Sequence, residues 1–85
     1  MRELANSGIL VEVAVEHGRA IRKFPSFHSA HEGFAVLLEE VEELKEHVFT
    51  NQGKRDIPAM RHEAIQVAAM ALRFVIDCCD TKCEA

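Results

Sequence analysis

The sequence predicts an all-α protein, a helical hairpin preceded by one further helix. Apolar residues recur at three- and four-residue steps in three segments, no stretch alternates with the two-residue period of a half-buried strand, and capping or breaking residues separate the segments. At 85 residues the chain reads as one domain, 1–85. A domain this short buries only about 60–65% of its unfolded surface, so a partner subunit is expected.

The first helix is expected over about 8–23. Ser7 can cap it, Ile9, Leu10, Val13, Ala14, Ala20 and Ile21 lie near one face, and Gly18 weakens its middle. Pro25 disfavours helical geometry at Phe24, which ends the helix and makes Pro25 to His28 an extended linker. The second helix, about 30–49, starts at a capping box in which the Ser29 hydroxyl takes a backbone N–H and the Glu32 carboxylate reaches back to the cap. Its stripe of Phe34, Leu37, Leu38, Val41, Leu44 and Val48 is wide enough to pack on a neighbour. Thr50 to Ile57, with Gly53, forms the turn.

The third helix, about 58–78, opens with Pro58 in its first turn and Asp56 as its cap. Ala64, Ile65, Val67, Ala68, Met70, Ala71, Leu72, Phe74, Val75 and Ile76 cover most of its circumference, so it must be enclosed on several sides. A symmetric dimer that packs two hairpins into a four-helix-bundle core would enclose it; a homodimer or a dimer of dimers is expected.

Composition narrows the function. Hydrophobic residues make up 48% of the chain, which argues against disorder, and the absence of Trp and Tyr removes the usual stacking surface for bases. The net charge of -4, with acidic residues concentrated between Glu39 and Glu46, repels a nucleic acid polymer. No apolar run approaches the ~20 residues of a membrane span, so neither a signal peptide nor a membrane anchor is expected. Cys78, Cys79 and Cys83 are odd in number and none forms a Cys-x-x-Cys pair, which suggests reduced thiols in a cytoplasmic protein.

The chemistry concentrates on carboxylates. Glu39, Glu42 and Glu46 lie opposite the apolar stripe and read as a solvated face, whereas Glu40 and Glu43, three apart, border the stripe and point toward the hairpin partner. On the third helix His62, Glu63, Gln66, Arg73 and Asp77 form one narrow polar strip. Glu43 precedes the turn by about two helical turns and Glu63 follows it by a similar distance, so an antiparallel hairpin brings them together. Hard oxygen ligands on rigid helices are what Mg²⁺ selects, with Mn²⁺ the alternative, and a cation would neutralise the mutual repulsion. A carboxylate buried here without a counter-charge would cost several kcal/mol or protonate.

The run Glu39-Glu40-x-x-Glu43, followed after nineteen residues by Glu63-x-x-Gln66, resembles the MazG-type all-α nucleoside triphosphate pyrophosphohydrolases over roughly His28 to Asp77. That family's signature is Glu-Glu-x-x-Glu and then Glu-x-x-Asp, on adjacent antiparallel helices. The resemblance implies that Glu40, Glu43 and Glu63 act as metal ligands and catalytic carboxylates. It implies a nucleoside triphosphate substrate, cleaved to monophosphate and pyrophosphate. Gln66 stands where the family has Asp; its amide oxygen can be a weaker ligand or hold a metal-bound water, but it brings no charge.

The resemblance further implies cations for the outer phosphates, with Lys54 and Arg55 in the turn, Arg61 and Arg73 as candidates. The turn residues also read as loop solubility and Arg73 as a partner for Asp77 at i+4. Phe27, Phe34 or His28 could wall a base pocket. His28-x-x-His31 lacks further zinc ligands and reads as surface or capping, and His47 lies one turn beyond Glu43. No Glu-x-x-His spacing of a di-iron bundle is present. Two alternatives remain beside the hydrolase: a weakened or inactive helical module that binds nucleotide or a protein partner, and a plain dimerisation domain whose glutamates pair with Arg61, Arg73 or Lys54.

Overall fold

A computed structural model describes residues 7–80. The described residues form three helices, α1 (Ser7–Lys23), α2 (Ala30–Val48) and α3 (Ile57–Phe74), and contain no strand. The bounds match the expected ones to within a residue or two, except that α3 widens into a π-helical turn over Val75–Cys79. The capping role given to Ser7 and the thiol of Cys83 lie outside what is described. Cys79 is an exposed thiol, and Cys78 Sγ donates to Ser29 O at 3.9 Å. No described helix is long and apolar enough to cross a membrane.

Local chemistry sets the boundaries. Ser29 Oγ accepts from Glu32 N at 3.1 Å and starts α2. The returning half of the capping box differs from expectation: Glu32 Oε1 accepts from His28 N at 2.6 Å, one residue before the cap. That bond, ahead of desolvation, holds the Glu32 carboxyl below its ordinary range. Asp56 Oδ1 accepts from Ala59 N at 3.1 Å and starts α3, with Pro58 in the first turn where no donor is needed. Between α2 and α3, Asn51 Oδ1 accepts from Gly53 N at 2.9 Å, and Arg55 Nε donates to Val48 O at 3.1 Å, satisfying the carbonyl at the end of α2.

The main packing runs along the α2–α3 hairpin, and α1 lies chiefly against α3. Among the described residues the buried apolar side chains are few: Phe27, Ala69 and Met70. Phe27 belongs to the linker, and it is pinned from several directions. Its N–H donates to Asp77 Oδ2 at 3.2 Å, and the Arg73 guanidinium stacks 4.0 Å from its ring centroid. Arg73 Nη2 donates to Pro25 O at 2.7 Å, and Arg73 Nε lies 3.6 Å from Asp77 Oδ2. Arg73 and Asp77 are both buried, so the linker closes over a paired charge. Gly33 permits this approach, because a Cβ there would sit 2.8 Å from Phe74 Cδ2 and 3.0 Å from Phe27 Cδ2.

The α2 stripe is less covered than its periodicity implied. Leu37 and Leu44 are half-buried, while Phe34 stays 59% exposed and Leu38, Val41 and Val48 remain exposed. Leu72, Val75 and Ile76 at the end of α3 are exposed too. A hairpin covers one side of each helix, and α1 covers only part of the rest.

Candidate metal centre and adjoining cleft

Two turns of α2 carry Glu40 and Glu43, and α3 brings Glu63 opposite them. One carboxylate oxygen from each lies within 4.8 Å of the others. Glu40 and Glu63 are half-buried and Glu43 is exposed, while Glu39, Glu42 and Glu46 face solvent. Among the described residues the four ion pairs use Glu12, Glu16, Glu32 and Asp77, and none of the three clustered glutamates is neutralised by a base. Glu63 Oε2 is buried with no hydrogen-bond partner. Desolvation pushes the Glu40 carboxyl above its ordinary range, and the charges of Glu43, Glu63 and Glu39 add to the effect, with His62 opposing it.

The residues fit a hard divalent cation. Three oxygen donors from two rigid helices converge, one carries an orphaned buried oxygen, and the local charge is uncompensated. An ion there would satisfy the Glu63 oxygen and remove the repulsion felt by Glu40.

Beside the cluster, a cleft of about 520 Å³ opens between α1, the linker and the hairpin. Glu40, His62 and Gln66 reach into it from the metal side, and Val36, Phe24, Phe27 and Met70 supply apolar wall. Its cationic rim comes from α1, where Arg19 and Lys23 stand one turn apart. Of the expected base-pocket residues, Phe27 and His28 line the cleft; Phe34 does not.

The structure distributes the expected phosphate-binding residues differently. Lys54 sits in the 3-10 turn Gln52–Lys54, away from the cleft lining. Arg61 makes a two-pronged pair with Glu12 of α1, Nη1 to Oε1 at 2.6 Å, beside a smaller hollow of about 360 Å³ between α1 and α3. Arg73 lines the cleft but is committed to Asp77, Pro25 and the Phe27 ring, so the i+4 partnership with Asp77 is formed. Gln66 Nε2 donates to Glu16 Oε2 on α1 at 2.7 Å. Glu16, Arg19 and Lys23 were missed in the sequence, although they share one flank of α1 at three- and four-residue spacing, because nothing local reports which flank of α1 meets α3.

Comparison of the chain with family models, curated proteins and solved structures gives no match.

Proposed function

We propose that this chain is a Mg²⁺- or Mn²⁺-dependent nucleoside triphosphate pyrophosphohydrolase that releases pyrophosphate and leaves the monophosphate. The observation that carries the proposal is the convergence of Glu40, Glu43 and Glu63, unneutralised, at the edge of a cleft rimmed by Arg19 and Lys23. The resemblance of the Glu39 to Gln66 pattern to MazG-type enzymes supports the same chemistry. A divalent ion held there supplies charge neutralisation for phosphate oxygens and a lowered pKa for an attacking water.

The chain's own groups supply the rest. Glu40, Glu43 and Glu63 would hold the cation, and one of these glutamates orients the attacking water. Lys23, and Arg19 through the donors it does not spend on Glu16, bind the phosphate chain as it leaves the carboxylates, and the wall of Phe24, Val36 and Met70 receives the base and sugar. Arg73 and Asp77 hold the linker in place as one side of that wall. The exposed residues Phe34, Leu38 and Val41 of α2 and Leu72, Val75 and Ile76 at the end of α3 support a homodimer, or a dimer of dimers.

The test is a panel of ribo- and deoxynucleoside triphosphates assayed for pyrophosphate with added Mg²⁺ or Mn²⁺. At least one substrate is expected to turn over, with activity lost in Glu40→Ala. A purified protein inert on the whole panel with both ions refutes the hydrolase. The hydrogen bond from Gln66 to Glu16 favours a second reading, a module that binds nucleotide with little turnover, because this position contributes no charge to the cluster. Calorimetric nucleotide binding without pyrophosphate release would select it.

A further inference from the structure

We propose that Glu16 is a positioning residue, which locks the Gln66 amide so that its carbonyl oxygen is presented as a neutral ligand beside the carboxylate cluster. The inference rests on the metal-centre reading above. A free glutamine side chain can turn its amide either way, and the two orientations differ in whether N–H or C=O faces a cation. An ionised carboxylate only accepts hydrogen bonds, so Glu16 selects one orientation, with the amide nitrogen toward α1. The Nε2 to Oε2 distance is 2.7 Å in a part-buried setting. Glu16 is itself held: its other oxygen lies 3.1 Å from Arg19 Nη1, and its side chain is only 15% exposed.

Arg19, Glu16 and Gln66 therefore form a chain of charge-assisted contacts that runs from the cationic rim to the metal side, and all three line the same cleft as Glu40. Gln66 stands one turn beyond Glu63 on the same flank of α3 and lines the cleft together with Glu40, which places its amide next to the carboxylate cluster. The arrangement has the logic of outer-shell residues that orient ligands, whose loss typically weakens metal binding by about 10–100-fold.

The experiment uses the full chain and Mn²⁺ alone, titrated by calorimetry. Glu16→Ala and Glu16→Gln are compared with the parent, each in the Gln66 and the Gln66→Asp background, with helix content and unfolding in EDTA as the folding control. Glu16→Ala is expected to weaken Mn²⁺ binding about tenfold or more. Glu16→Gln, whose amide oxygen still accepts from Gln66, is expected to retain most of it. In the Gln66→Asp background a carboxylate needs no such orientation and is repelled by Glu16, so Glu16→Ala should leave binding unchanged or tighter. Parent-like affinity in Glu16→Ala, or an equal loss in both backgrounds, overturns the positioning role and leaves the metal centre standing. Failure of the parent protein to bind Mn²⁺ overturns both.

Discussion

Glu40→Gln is expected to make the metal-free protein more stable while abolishing its response to divalent ions. The substitution keeps the shape and removes one of three like charges whose oxygens lie within 4.8 Å. At that separation a pair of unit charges repels by about 0.9 kcal/mol with the dielectric of water and about 3.5 kcal/mol at an effective value of 20. Glu40 is half-buried and faces two such partners, so relief of about 1–3 kcal/mol at neutral pH is the expected scale. For a domain of this size that raises the melting temperature by about 4–8 °C per kcal/mol. The pH dependence gives the sign independently. Folding raises the Glu40 carboxyl above its ordinary 4.5, so the folded state binds that proton more tightly than the unfolded state. The cost of Glu40 is therefore absent below about pH 4.5, grows as pH rises through the raised folded value, and is complete above it. The assay is thermal unfolding of both proteins in EDTA from pH 3.5 to 8, repeated with excess Mg²⁺. The two melting temperatures should coincide in acid and separate toward neutrality, and Mg²⁺ should stabilise the wild type alone, by about 2.7 kcal/mol of unfolding free energy at one hundred times its Kd. A Glu40→Gln protein less stable than wild type at pH 7 in EDTA, or a wild-type protein indifferent to Mg²⁺, would refute the reasoning.

Further substitutions test the frame around the site. Gly33→Ala places a methyl group 2.8 Å from Phe74 Cδ2, so despite the better helix propensity of alanine it should cost about 1–3 kcal/mol in urea unfolding; a neutral result would show that the two rings move freely. Asp77→Ala strands the buried Arg73 charge and the Phe27 N–H and is expected to cost about 3–5 kcal/mol by the same measurement. Ser29→Ala removes the α2 cap and should cost about 1 kcal/mol, seen as a lower urea midpoint at unchanged slope. Arg61→Ala should return the Glu12 carboxyl upward to the ordinary range, read by carboxyl titration in nuclear magnetic resonance, because the Arg61 hydrogen bonds are the leading cause of its depression.

What the sequence discloses follows the range of the forces involved. Ser29, Asp56, Pro25 and Pro58 act within one helical turn, so the three helices can be placed from them directly. The grouping of Glu40, Glu43 and Glu63 needs only helical angles and a short turn, and both are legible. The partners of Arg61 and Gln66 are not, because Glu12 and Glu16 lie on a helix joined to the hairpin by a linker, and its azimuth is fixed only by packing. Phe27 is hidden for a related reason. A Pro-Ser-Phe segment has no periodicity to mark an inward side chain, and its burial depends on Gly33, Arg73 and Asp77 acting together. The exposed stripe on α2 shows the converse: a periodic apolar face reports that a helix has something to cover, but not that its own chain covers it.

The linker's attachment to the far end of α3 separates two capacities in folding time. Glu40, Glu43 and Glu63 belong to neighbouring rods joined by a short turn, a local closure that is entropically cheap and fast. The bonds from Phe27 to Asp77 and from Arg73 to Pro25 close loops of about 50 residues and must wait for the whole chain. On the proposed reading, a nascent hairpin would thus be able to gather a cation before the cleft that would admit a triphosphate has formed.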